Sequence, residues 1–372
     1  MTVYILLLLV IIAGKIFSNK RIVLWDGYVV NGRKAYICLS FFVIWFLMAF
    51  RASSIGTDTL AYTKYYEDIA GQNSLSDAVS LEYISGDVFK GISYMIGFVS
   101  QAPQFYIFWT GTIISIGMAV YIYRTSHDPA FSTFLFLTLN LFFISMNTAR
   151  QWVAIAIALN ALYILYKNSK SIWGWLLLGL AFGIHNTIFL FFPAVILSLL
   201  VKRYGLNKKS FFVMLVMLAP LLGLFFIDIE DLLFSYFPHY MMYVNIEYED
   251  GLIGDTGNGK IIIEYIFFLG ILFLLFFKSR KKGITDDFVK ALIPGAVFCV
   301  VLGIMLSKNN MANRLLIPYQ CLFLSIIPYT LSQYKGITRL VLHMVVCTGV
   351  IFSYFLWMNG NLGDIIPFQF GF

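Results

Sequence analysis

Apolar runs of roughly 17 to 25 residues recur from one end of the chain to the other, and that length matches a helix crossing a bilayer. Short polar stretches, most of them basic, separate the runs. Strands of a membrane barrel would alternate in polarity instead. The expected spans are 2–17, 35–50, 102–123, 130–146, 148–166, 172–184, 186–201, 211–228, 260–277, 288–306, 315–333 and 339–357. The pattern therefore predicts an all-α polytopic protein with about twelve crossings, one integral membrane domain over 1–372 with no internal repeat. Segment 86–100 is apolar and carries glycine, which suits an amphipathic or re-entrant piece. Val3–Phe17 lacks a basic start and a small-residue cleavage site, so it is expected to stay as a helix.

Two runs are too long for one crossing. Phe131–Tyr166 holds 36 residues, roughly 54 Å as a single helix, against a hydrocarbon core of ~30 Å. Basic residues flank it on both sides, Arg124 at one end and Lys167 and Lys170 at the other. The run should break near Ser145–Arg150 and return. Ser171–Val201 lies between Lys170 and the Lys202–Arg203 pair, and should turn near His185 and Asn186. With these breaks the loops at 15–34, 124–129, 167–171, 202–209, 278–290 and 335–339 hold 19 of the 26 Lys and Arg residues. The positive-inside rule makes those loops cytoplasmic. Both termini, and two sizeable loops at 51–90 and 229–259, then fall on the outer side.

Composition agrees. The chain is 60% hydrophobic and 12% charged, whereas a soluble domain has about 25% charged residues; mean hydropathy is +0.82. The net charge of +7 is explained by topology rather than by nucleic acid. Cys38, Cys299, Cys321 and Cys347 all sit in apolar runs without ligand spacing and read as small core residues. The outer acids Asp228, Glu230, Asp231, Glu247, Glu249 and Asp250 read as a solvated loop rather than a metal site. No nucleotide loop or redox motif is present, so no cofactor is expected.

On this topology Arg51, Asp58, Asn147, Arg150, Gln151, His185, Asn186, Asn313 and Arg314 all lie at outer helix ends or hairpin tips. Each has a plain reading: a snorkelling arginine, a turn aspartate, a satisfied histidine. Their convergence favours chemistry. Ionisable residues within membrane sequence are costly and mark function by default. Guanidinium groups grip a diphosphate in bidentate fashion. A carboxylate or imidazole beside them would take the proton from an attacking hydroxyl. Asn147, Arg150 and Gln151 are spaced to share one helix face. Outer tyrosines, among them Tyr62, Tyr65, Tyr66 and Tyr83, would suit sugar rings, although an interfacial belt has the same composition.

The element R-x-x-x-x-G-T-D-x-x-x-Y, here Arg51, Gly56, Thr57, Asp58 and Tyr62, resembles the first outer loop of the EpsG family of Wzy-class polysaccharide polymerases. N-x-x-R-Q-x-x-A at Asn147, Arg150, Gln151 and Ala154 is similar to that family's second signature. The H-N-T segment at His185, N-R-x-x-x-P-Y at Asn313, Arg314, Pro318 and Tyr319, and the late Pro367 fit as well. The resemblance implies a GT-C-like helical architecture in a bacterial inner membrane, with its active site facing the periplasm. It implies donor and acceptor glycans carried on undecaprenyl diphosphate, membrane lipid around them, a chain-length regulator protein as a partner, and no metal. It implies roles too: Arg150 and Arg314 on the donor diphosphate with Arg51 assisting, and Asp58 as acceptor base with His185 as second choice. Asn147, Gln151, Tyr62, Asn313 and Tyr319 would support them.

The rival readings are an O-antigen ligase or other lipid-linked glycosyl or acyl transferase, a flippase, and a membrane scaffold, for which arginines at three separate hairpin ends would be unexpected. An O-antigen ligase takes the same donor to a different acceptor and is separated only by the family signatures. A lipid-linked oligosaccharide flippase would carry charges at several depths and often shows repeats, whereas here the charges gather at one face.

Overall fold

Long apolar runs without water to satisfy their backbone must close their own hydrogen bonds, and the chain does so as helices. The computed structural model describes residues 1–18, 21–23, 29–84, 86–206, 256–306, 314–361 and 363–371. Expected span 211–228 lies outside them, as does most of the loop 229–259. The chain divides into two compact units, Met1–Phe189 with Lys335–Phe372, and Leu190–Tyr334.

The first unit holds α1 (Thr2–Ser18), α2 (Gly32–Ala49), α3 (Thr59–Ala70), α4 (Leu75–Val79), α5 (Asp87–Gly97), α6 (Pro103–Thr125), α7 (Pro129–Thr138), α8 (Leu141–Asn147), α9 (Ala149–Lys167) and α10 (Ile172–Ile184). The last helix of the chain, Gly336–Asn359, also belongs to it. A short antiparallel hairpin, Arg21–Val23 with Val29–Asn31, joins α1 to α2. α9 is the central helix and packs against both α6 and α10. A Cβ on Gly117 of α6 would come within 2.8 Å of the Ala156 Cβ on α9. Asn160 of α9 donates to the Gly117 carbonyl at 2.8 Å. Small residues with a polar clasp are the ordinary means of holding helices together in lipid. Loops expected on the same side meet at one end: Lys15 pairs with Asp128 at 3.4 Å, and Arg33 donates to the Tyr123 carbonyl at 3.4 Å.

The second unit contains α11 (Phe192–Tyr204) and the helices Thr256–Lys282, Asp287–Met305, Ile317–Gln320 and Phe323–Ser332. Ser198 of α11 donates to the Ala291 carbonyl at 2.9 Å. Phe268 stacks on Phe323 with centroids 4.1 Å apart.

The described residues do not supply the about twelve crossings expected, span 211–228 lying outside them. Among the described residues seven helices are long and apolar enough to cross, or eight if one bent pair counts as a span. That pair is α7 and α8, the expected span 130–146, bent by 57°. Asn140 stands at the bend with φ +62°, a left-handed conformation that asparagine tolerates. α10 has 13 residues, about 20 Å, so it stops short of a full crossing. Expected span 315–333 is two short helices, with Pro318 opening the first. The re-entrant candidate 86–100 is α5, preceded by Gly86 at φ +91°.

Candidate functional site

The break expected near Ser145–Arg150 falls at Thr148, which ends α8 and precedes α9 with φ −97° and ψ 50°. Asn147 and Arg150 are therefore on different helices, which corrects the expectation of one shared face. The break changes what each residue does. The Asn147 side-chain oxygen accepts from the Thr57 hydroxyl at 2.8 Å and from the Asp58 amide at 2.9 Å. Gly56 makes this possible: its φ is +100°, and a Cβ there would lie 3.3 Å from the Asn147 Cα. The Gly-Thr-Asp turn thus docks on the end of α8, and α3 starts directly after it.

Arg51 lies beneath this turn. It is fully buried. Its two terminal nitrogens donate to the carbonyls of Met48 at 2.6 Å and Met146 at 2.7 Å, at the C-terminal ends of α2 and α8. Burial lowers its pKa to about 10, opposed by the neighbouring phenols of Tyr106 and Tyr4, so it stays charged at neutral pH. Among the described residues no carboxylate pairs with it. The C-terminal tail seals the same place. Ala52 donates to the Gln369 carbonyl and Gly371 to the Phe50 carbonyl, both at 2.9 Å, and Gly56 donates to the Asp364 carbonyl at 3.1 Å. Pro367, noted in the sequence, follows a cis peptide bond in this tail.

On the far side of the break, Arg150 opens α9. It is 8% exposed and its guanidinium stands over the Phe89 ring, 5.3 Å from the centroid. Gln151 donates to the Thr187 hydroxyl at 3.4 Å, and that hydroxyl lies 2.6 Å from His185 Nδ1. Gln151 supplies a proton to the hydroxyl, whose own proton then points to Nδ1. This assignment of the tautomer places the ring proton on Nε2. Burial, and then the charge of Arg150, hold the His185 pKa well below its ordinary 6.5, so the imidazole is neutral.

The two halves meet around Tyr106. Its ring neighbours Tyr62 at 6.1 Å, Phe89 at 6.4 Å and Trp109 at 5.7 Å, and it lies within the electrostatic reach of Arg150, Arg51 and Asp58. Tyr62, Phe89, Tyr106 and Arg150 belong to the first turns of α3, α5, α6 and α9. None of these four helices has a side-chain hydrogen bond at its N-cap. A helix N-terminus carries amides without intrahelical partners and about half a positive charge, although here the Thr59 amide of α3 and the Phe105 amide of α6 already donate to the Gly56 and Ala102 carbonyls. Together with Arg150 these N-termini make one end of this unit attractive to an anion.

The remaining expected residues stand elsewhere. Arg314 is half-buried in the second unit. Tyr319 is fully buried there between Phe191 and Phe298, its hydroxyl given to the Leu190 carbonyl. Asn313 lies outside the described residues. Asn186 is exposed. Tyr106, Phe89, Trp109 and Thr187 were not among the candidates of sequence reasoning, although Pro103 in P-Q-F-Y marks the helix start that positions Tyr106.

The profile of the EpsG family matches residues 34–370. The chain belongs to the EpsG family. The matched range includes Arg51, the Gly-Thr-Asp turn, Arg150, His185 and the tail as far as residue 370. No curated protein and no solved structure matches the chain.

Two outcomes follow from this geometry. Arg51→Ala strands the Met48 carbonyl and leaves the Met146 carbonyl only the Thr59 hydroxyl at 3.3 Å, and should cost about 2–4 kcal/mol of stability, read as a lower melting temperature in detergent. His185 resists protonation when folded but accepts it at an ordinary pKa when unfolded. The unfolded state then binds more protons below about pH 6.5, and stability falls with acid. The melting temperature should drop between pH 7.5 and 5.5, and drop less in His185→Asn.

Proposed function

We propose that this EpsG-family protein is a polysaccharide polymerase of the Wzy type, a glycosyltransferase joining oligosaccharide repeat units carried on undecaprenyl diphosphate. The reading adopts the family's GT-C-like architecture and a site at the periplasmic face of the bacterial inner membrane. One observation carries it: four uncapped helix N-termini, Arg150 and the Asp58 turn gather at one end of the first unit. A diphosphate leaving group needs the first two, and an acceptor hydroxyl needs the third.

In this scheme Arg150 and the N-terminal amides hold the donor diphosphate. Asp58, half-buried and fixed by Asn147 through its backbone, takes the proton from the acceptor sugar hydroxyl. The hydroxyl oxygen attacks the anomeric carbon of the donor glycan. The bond from that carbon to the diphosphate oxygen breaks, and undecaprenyl diphosphate leaves as an anion with the bonding electron pair. His185, carrying its proton on Nε2, serves as a hydrogen-bond donor rather than a base, with Thr187 and Gln151 setting its tautomer. Arg51 assists indirectly, since both of its terminal nitrogens already donate to the two helix ends that carry the turn. The reading rests on the first unit alone; Arg314 keeps its proposed role as a second diphosphate ligand only by the family pattern.

Cells lacking the protein should display single repeat units and regain a glycan ladder with the wild type. At matched expression, Asp58→Asn, Arg150→Ala and His185→Ala should each reduce the ladder at least about 100-fold, the range in which losing a general base or an anion donor falls. Normal ladders from Asp58→Asn and Arg150→Ala would reject the site. Lipid-linked units trapped in the cytoplasmic leaflet would mark a flippase instead.

A further inference from the structure

Several buried tyrosines of the first unit have carbonyl acceptors. Tyr4 donates to the Ile365 carbonyl at 2.9 Å, Tyr36 to the Ile11 carbonyl at 3.1 Å, and Tyr354 to the Tyr4 carbonyl at 2.8 Å. Tyr66, one turn along α3 from Tyr62, donates to the Ser100 carbonyl. Tyr106 differs from these. Its side chain is fully buried, and among the described residues its hydroxyl has no partner. The Trp109 indole nitrogen, one turn further along α6, is likewise buried with no partner among the described residues, as is that of Trp152 on α9, whereas the Trp45 indole donates to the Thr112 hydroxyl at 2.9 Å. A buried donor left unsatisfied is costly, and in native proteins it calls for an explanation.

The surroundings supply one. Both rings touch each other and Phe89, at 5.7, 6.4 and 6.3 Å between centroids. Arg150 caps the other face of this cluster through Phe89. The polar groups collected here are nearly all donors: an indole N–H, a guanidinium, helix amides, and a phenol free to donate. A site of that kind is complementary to a ligand rich in acceptors and negatively charged. We propose that the Tyr106 hydroxyl and the Trp109 indole N–H are direct ligand contacts that receive the diphosphate of the lipid-linked donor beside Arg150. This deepens the polymerase reading and rests on it for the identity of the donor. Tyr106 would then be a binding residue whose hydroxyl acquires its missing acceptor only when the diphosphate is bound.

The test uses the full-length protein in detergent and farnesyl diphosphate as a short-chain probe, with farnesyl monophosphate as control, titrated by calorimetry. Tyr106→Phe removes one oxygen and keeps the ring. It should weaken farnesyl diphosphate binding about tenfold while leaving the melting temperature unchanged or raised. Trp109→Phe should act in the same direction and keeps the test alive if the first variant folds poorly. Undiminished diphosphate binding by both variants would overturn the inference and leave the polymerase reading standing, since that reading is judged by the glycan ladder. Absence of a preference for the diphosphate in the wild type would overturn the inference as well. Loss of diphosphate preference in Tyr106→Phe, with monophosphate binding retained, would support it most directly.

Discussion

A fully buried guanidinium bridging two helix ends is the constraint on which the rest of the site depends. Arg51 takes the Met48 and Met146 carbonyls, so the ends of α2 and α8 are held at one level. The Met48 carbonyl would otherwise be unsatisfied and the Met146 carbonyl would keep only the Thr59 hydroxyl at 3.3 Å, and the arginine would otherwise be a charge without partners. With α8 held, Asn147 stands where it clips the Gly-Thr-Asp turn, and that turn starts α3. The C-terminal tail closes over the same backbone from the opposite end of the sequence. A residue whose position alone suggests snorkelling to head groups is therefore the internal pin of the first unit.

The helix break at Thr148 divides the labour. Everything before it is architectural: Arg51, Asn147 and the tail secure Asp58. After it, Gln151 reaches a neutral His185 through Thr187, and Arg150 stands over Phe89. Without the break, Asn147, Arg150 and Gln151 would lie on one face and compete for one volume. With it, α8 faces the turn while the first residues of α9 face the histidine. The short α10 serves the same arrangement, because a helix of full crossing length would carry His185 past Arg150.

Much of this was legible in the sequence and some was not. Hydrophobic run lengths and flanking lysines located the two helix breaks to within a few residues, at Thr148 and His185, because the bilayer thickness limits how long one helix can run. They did not reveal that 130–146 bends at Asn140 or that 315–333 divides into two short helices, since composition carries no information on left-handed residues inside an apolar run. Arg51, Asp58, Asn147, Arg150, Gln151 and His185 stood out because charge and amide in apolar sequence are costly, and in the first unit the structure brings these residues together. The division of roles was hidden. Whether an arginine points to solvent or to carbonyls depends on neighbours far along the chain, here 95 residues away for Met146. Tyr106 was hidden for a different reason: in a chain with 23 tyrosines, only tertiary structure shows which hydroxyl is left without an acceptor.

The most direct measurement of the central claim is reconstitution of the purified protein in proteoliposomes with an undecaprenyl-diphosphate-linked oligosaccharide. Released undecaprenyl diphosphate and product length would be followed together. The account predicts that wild type extends the glycan and releases one carrier for each bond formed, and that Arg150→Ala, folded to the same melting temperature, releases none. Carrier release by Arg150→Ala at the wild-type rate, or glycan left unextended by the wild type, would contradict it.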